Sequence, residues 1–380
     1  MTRNPVRTSA ALMLAAVALC VTGAVLYAGP LDPPAGPVAP TPGPEPRIAI
    51  NATNTPGDND GQPSLFKISA PGSYYLTGNI TGVTGKHGIE ITASGVTLDL
   101  NGFDLQGAPG SLGGVFTTGS NQTNIAVVNG SVRNWGGSGV SLGSTSANCR
   151  VDSILSSGNG NAGIFVSENT TVTNCSAYKN ATNGIDTGSG CVITNCTADE
   201  NGNYGITPGS GATVAHCSAY NNANSGFSLG AGGTITNCNA RSNDTFGIFV
   251  GSASTVTDCS ASFNNRDGIS CSGSGSIIRG NSCVNNGINA NDGAGIYVAS
   301  TDNRVEGNNC VDNDRGIDID AASNLIIGNS CAGNTVNYEI DAGNRYGLII
   351  NITAGGTAAV SGSAAASTLG STDPHANFSY

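Results

Sequence analysis

The side chains best suited to chemistry recur at near-constant spacing. Glu90, Phe116, Ser141, Phe165, Asp186, Thr207, Ser228, Phe249, Ser270, Tyr297, Asp318 and Asp341 each follow a bulky apolar residue. If these positions share one outward face, they form a column of aromatics and carboxylates. Such a column suits a saccharide, whose rings present an apolar face and a hydroxyl edge. The densest part holds Tyr297, Arg315, Asp318, Asp320 and Asp341. Phe249, Tyr297, Arg315 and Asp318 are the candidate ligand-binding residues, and Asp318, Asp320 and Asp341 the candidate catalytic ones. Carboxylates on adjacent turns, such as Asp318 and Asp341, could lie at glycosidase separations. The same pair could be a Ca²⁺ locus or plain surface charge. No other cofactor is expected. The sequence has no CxxC pair or His cluster of metal-ligand spacing, no Gly-rich phosphate loop and no Ser/His/Asp set.

The elements that would position these residues come from a unit of about 21 residues. Its marker is Gly followed by a bulky apolar residue, at Gly163-Ile164, Gly184-Ile185, Gly205-Ile206, Gly226-Phe227, Gly247-Ile248 and Gly268-Ile269. A period-two alternation follows each marker, as in Ile164/Val166 and Ile248/Val250, and predicts a strand with one buried face. A Gly/Ser turn leads to a second apolar strand at Val172, Ile193, Val214, Ile235 and Val256. Next comes a column of Asn174, Asn195, His216, Asn237, Asp258, Gly280, Gly307 and Gly328. These residue types tolerate positive φ best, so the column predicts a left-handed corner. A third strand has small inward residues, Cys175/Ala177 through Cys259/Ala261. The thiol moves two places on, to Cys283, Cys310 and Cys331, which keeps it on the same face. Each unit closes on an Asn, from Asn159 through Asn180, Asn201 and Asn222 to Asn334, and stacked units would join these amides in a ladder.

Three short strands and three corners per unit make one coil of a parallel β-helix, with right-handed crossovers expected. The Gly-Ile starts, the Asn/Gly corner column and the Asn ladder resemble right-handed parallel β-helix proteins of the pectate-lyase-like superfamily. The likeness runs over roughly residues 65–352. The segments at 71–80 and 95–107 look like opening coils of secreted bacterial β-helix proteins of unassigned role. The resemblance implies an all-β fold and a polysaccharide or cell-surface glycan as partner. It implies no particular activity, because one scaffold hosts many chemistries. The polygalacturonase elements, the pectate lyase arginine motifs and the methylesterase Gln/Asp sets are missing. Asp373-Pro374-His375 is similar to the DPH element of mannuronan epimerases. It lacks the preceding Tyr-Gly and lies beyond the coils, so it is read as part of the tail.

The 380 residues carry a formal charge of −11, with 10% charged residues and Lys only at 67, 86 and 179. This balance argues against nucleic acid or an anionic membrane as partner. Residues 1–28 read as an export signal: Arg3 and Arg7, then an apolar run from Ala10 to Leu26. The run is long enough to serve instead as an uncleaved membrane anchor. Residues 29–46 are a Pro-rich extended linker. The expected location is therefore secreted, periplasmic or cell surface. Residues 47–88 read as an N-terminal cap, 89–352 as the β-helix of about 12 coils, and 353–380 as a tail that covers the last coil or frays. The one long insertion, at 287–293, lies just before the Tyr297 strand.

Twelve Cys in an exported chain would ordinarily suggest disulfides. Here they recur at the repeat period on an inward column. Side chains stacked in parallel point the same way, which fits the disulfide dihedral poorly. They are expected as stacked free thiols behaving as small hydrophobes. The leading functional expectation is a non-catalytic surface or glycan-binding scaffold. The alternative is a polysaccharide lyase or glycoside hydrolase working on the acidic, aromatic face.

Overall fold

The computed structural model describes residues 47–143, 145–287, 293–351 and 373–379. The expected export signal, the Pro-rich linker, most of the inserted loop and residues 352–372 lie outside the described residues. All regular structure described is β. No helix among the described residues is long and apolar enough to cross a membrane.

The chain winds as a right-handed parallel solenoid of about 13 turns. One sheet has 13 strands, one per turn, and the other has 26. A regular coil consists of Ile164–Val166, Thr171–Thr173 and Ser176–Tyr178. Each strand pairs in parallel with its counterpart 21 residues later: Ile164 with Ile185, Val172 with Ile193, Ala177 with Ala198. Ile164, Val172 and Ala177 have no exposed surface, so the alternation does place one face in the core.

The corner column of Asn174, Asn195, His216, Asn237 and Asp258 has φ of 52–55°. Two further left-handed columns exist that the sequence reading did not single out. One runs through Asn169, Gly190, Gly211, Gly232 and Ala253, the other through Lys179, Glu200, Asn221, Ser242 and Phe263. The last column contains residues that do not favour positive φ, so packing between coils imposes it. The amide ladder forms without a break from Asn159 to Asn334. Each Nδ2 up to Asn313 donates to the Oδ1 of the next Asn at 2.9–3.0 Å. The same oxygen accepts the backbone N–H of the preceding Asn, as Asn222 does from Asn201 at 3.0 Å. The marker glycine follows from this ladder. A Cβ on Gly184 would stand 2.6 Å from the Gly205 carbonyl and 2.7 Å from Asn201 Nδ2. At the N-terminal end Trp135 takes the ladder position. Its N–H donates to Asn159 Oδ1, and its buried indole donates to the Leu105 carbonyl.

All eleven described cysteines are buried free thiols. Cys217 Sγ lies 3.2 Å from the Ala215 carbonyl, and Cys196 N–H points at Cys217 Sγ at 3.5 Å. The thiols thus act as weak polar groups in a corner. Where the thiol moves to Cys283, Cys310 and Cys331, the vacated slot becomes a second amide ladder of Asn281, Asn308, Asn329 and Asn377.

Residues 47–88 pair in parallel with the coils that follow: Tyr74 with Leu98 and Phe66 with Ile89. They therefore continue the two sheets, and only the Pro56–Phe66 bridge is antiparallel. The last marker position is Tyr338, not Ile340, because Ile317 pairs with Tyr338. The Gly-Ile signal is absent there. Tyr338 reaches across the end of the core, where its one hydroxyl proton lies between the Asn329 and Phe378 carbonyls, at 2.8 and 2.9 Å from the phenol oxygen. Asn377–Ser379 pairs in parallel with both Ser330–Ala332 and Ile349–Asn351, and so lies between them in the 26-stranded sheet.

Asn222→Ala should destabilise the fold by about 3 kcal/mol or more, read from denaturant midpoints, because it strands several buried donors and acceptors at once. Asn221→Gly, in the adjacent left-handed corner, should be neutral or slightly stabilising. Cys217→Asp should lower the melting temperature strongly by placing a carboxyl in the apolar stack; an unchanged value would contradict the inside–outside assignment.

Candidate functional site

Three neighbouring strands of the 13-stranded sheet build the cluster: Ala294–Val298, Arg315–Ile319 and Val336–Ile340. Their register places Tyr297, Asp318 and Glu339 in one row, with Ser270 before them. Glu339, rather than the expected Asp341, is thus the outward neighbour of Asp318. The two-residue misplacement follows from Tyr338 replacing the Ile marker. Asp341 is exposed and falls two residues further on, beyond the paired strand.

A depression of about 130 Å³ is lined by Arg266, Asp267, Tyr297, Arg315, Asp318 and Asp320. It has room for a few waters. Arg315 forms the wall to a second hollow of about 360 Å³, lined also by Asp314, Thr335, Val336 and Glu339. Arg315 holds Asp318 at 3.2 Å and Glu339 at 2.5 Å. Tyr297 donates its hydroxyl to Asp320 Oδ2 at 2.9 Å. The buried Asp267 accepts from the Ala294 N–H at 2.9 Å, fixing the corner that enters the Tyr297 strand.

Asp318 is 4% exposed, and its Oδ1 is buried with no hydrogen-bond donor. Burial, then the charge of Asp320, pushes its carboxyl up to about 7, against the opposing pull of Arg315. It is therefore half protonated near neutrality, beside a second carboxyl with which it can share the proton. Tyr297 is pushed up to about 12 by burial, then by its hydrogen bond to Asp320. At neutral pH it is a hydrogen-bond donor rather than a base.

Four of the expected residues, Tyr297, Arg315, Asp318 and Asp320, thus come together. Phe249 does not join them. It stacks on Phe246 at 5.7 Å, two coils before Tyr297, and Arg266 lies over Phe246 at 5.2 Å. Arg266, Asp267 and Glu339 were not anticipated. The first two sit just before the marker Gly268, a corner position whose repeat the sequence does show.

At the other end of the same column, Glu90 is buried and bonded to Thr118 and Ser64. With Asp58 and Asp60 it makes a three-carboxylate group of metal-ligand spacing among the described residues. Lys67 Nζ already stands among them, at 2.5 Å from Asp58, 3.1 Å from Asp60 and 3.3 Å from Glu90. That ammonium supplies the counter-charge at this position.

The profile described as "Right handed beta helix region" matches residues 113–255 and 228–368. The chain belongs to the right-handed β-helix family. No curated protein matches this family member in sequence. Among solved structures, this β-helix is similar to the A-module of an Azotobacter vinelandii mannuronan C-5 epimerase, at 16% identity and TM-score 0.50, over 75% of this chain and 90% of that one. It is similar to a periplasmic alginate epimerase, at 13% identity and TM-score 0.50, over 78% and 80%. The Dettilon tailspike protein aligns at 17% identity and TM-score 0.48, over 70% and 58%. At these identities the likeness is one of fold.

The Asp318 carboxyl should titrate with a midpoint near 7 by carbon NMR, and Asp320→Asn should lower that midpoint by removing a like charge. A carboxyl raised on folding stabilises the fold below its ordinary value of 3.8 and loses that contribution as pH rises to about 7. The melting temperature of Asp318→Asn should therefore gain on the wild type between pH 4 and 8. A midpoint near 4 would show that the site is open to water.

Proposed function

We propose that this β-helix protein is exported and binds a polysaccharide on the Tyr297 face of its 13-stranded sheet. The observation that carries the reading is the sheltered Asp318, with an unpartnered oxygen, flanked by the Tyr297 phenol and the Arg315 guanidinium. A half-protonated carboxyl next to an ionisable one can both donate to and accept from sugar hydroxyls. The tyrosine offers a ring face, and the hollow beyond Arg315 gives the next sugar unit room. The structurally similar epimerases act on mannuronan and alginate, and one of them is periplasmic, which supports a polysaccharide ligand and an exported location. The acidic balance of the chain supports the absence of nucleic acid as a partner.

A non-catalytic role is the better-supported form of this reading. Tyr297 is held protonated, so at neutral pH it offers a donor to a sugar hydroxyl rather than a base. One observation favours catalysis instead: Asp318 has the proton affinity of a general acid working near pH 7.

A glycan array, with reducing-end and unsaturated-product assays on the ligands it finds, separates the two. Binding without turnover, lost by about ten-fold or more in Tyr297→Ala, is the expected result. Turnover abolished by Asp318→Asn would replace the scaffold reading with the enzymatic one.

A further inference from the structure

The outer face of the 26-stranded sheet holds a separate constellation. Ser176–Tyr178, Thr197–Asp199 and Ser218–Tyr220 lie side by side. Their register sets Tyr178, Asp199 and Tyr220 in one row and Ser176, Thr197 and Ser218 in a second. Between the rows, Ala177, Ala198 and Ala219 turn into the core. Both tyrosines are exposed, at 38% and 44%. Coils stacked about 4.8 Å apart put their Cα atoms about 10 Å from each other. A ring in carbon contact with a wall on either side takes about 7–8 Å. One ring fits between the tyrosines, and two do not. The residue between them, Asp199, is too short to fill the gap, and a groove of about 270 Å³ remains.

One carboxylate oxygen in the middle coil lacks a hydrogen-bond donor. Asp199 Oδ1 is buried without a partner, and burial, then Glu200, holds its carboxyl above the usual range. Asp199 also lines the groove, so a hydroxyl seated there can donate to its carboxyl. The three hydroxyls beside it, with Thr197 donating to Ser176 at 3.1 Å, can donate and accept. The first wall is braced by the corner beside Asp199, where the Tyr178 hydroxyl lies 3.5 Å from Glu200 Oε1. Lys179 Nζ lies 4.8 Å from the centroid of the Tyr178 ring and 3.1 Å from Glu200.

We propose that Tyr178, Asp199 and Tyr220 form a second glycan site, which holds one neutral pyranose ring between the two phenol rings with a ring hydroxyl donating to Asp199. Apolar walls, a sheltered acceptor and a hydroxyl row match the faces and edge of a sugar. A cationic ligand would meet the Lys179 charge already seated against the Tyr178 ring. The site lies on a different sheet from the Tyr297 cluster and does not depend on the reading given to that cluster.

The test is calorimetric titration of the full chain with cellohexaose, laminarihexaose and chitohexaose, all in a Tyr297→Ala background so that the first site is silenced. At least one hexaose should bind at millimolar concentration or below. Tyr178→Ala and Tyr220→Ala together should weaken it by about ten-fold or more, and Asp199→Ala alone should weaken it measurably. Tyr346→Ala, which removes an exposed tyrosine elsewhere on the same sheet, should leave it unchanged. Circular dichroism of each variant checks that the solenoid is intact, and the Asp199→Ala arm stands alone if the double variant is not. The proposal is overturned if none of the three sugars binds, if binding survives loss of both tyrosines, or if choline displaces the bound hexaose.

Discussion

A solenoid turns its chain three times per coil, and at each corner the polar backbone bends next to the core. Everything else in this protein rests on satisfying those corners from the coil above and the coil below. The Asn159–Asn334 ladder does so most completely: each amide donates onward and to a carbonyl, and accepts two N–H groups from behind. That network is buried, and each rung exists only if its neighbours do. It therefore fixes coil spacing, forces the marker glycine beside it, and holds residues such as Phe263 and Lys179 in left-handed conformations they would not choose alone.

The same rigidity makes the surface usable. With a constant coil spacing, any outward position becomes a straight row at fixed intervals, and chemistry arises wherever neighbouring coils happen to hold complementary side chains. The Tyr297–Asp318–Glu339 row and the Tyr178–Asp199–Tyr220 row are two such cases, on different sheets. In both, an aspartate is wedged between larger groups and loses its water, which raises its proton affinity without any dedicated loop.

Much of this was legible in the sequence because the repeat is regular. Period two gave the buried faces, the Asn/His/Asp/Gly column gave one corner, and the recurring Asn gave the ladder. Legibility failed where a residue left the pattern for a tertiary reason. Tyr338 occupies an Ile position because the end of the core needs a hydroxyl there, and that moved Glu339 into the site in place of Asp341. Lys179 and Phe263 carry no sign of positive φ, since packing imposes it. Asp267 and Arg266 belong to a corner whose outward neighbours differ from coil to coil, so their convergence on Tyr297 had no periodic signature.

The thiol column has a consequence for how such a chain reaches its native state. Every described cysteine ends as a free, enclosed thiol, so no oxidant or disulfide isomerase is required to complete the fold. Before the coils close, however, the same cysteines are open to solvent and spread along the polymer, several of them 21 residues apart. In an oxidising medium, wrong cross-links compete with winding, and the first coils to stack protect their sulfur by enclosing it. Speed of coil-by-coil closure, rather than a final covalent lock, then decides the yield of intact molecules.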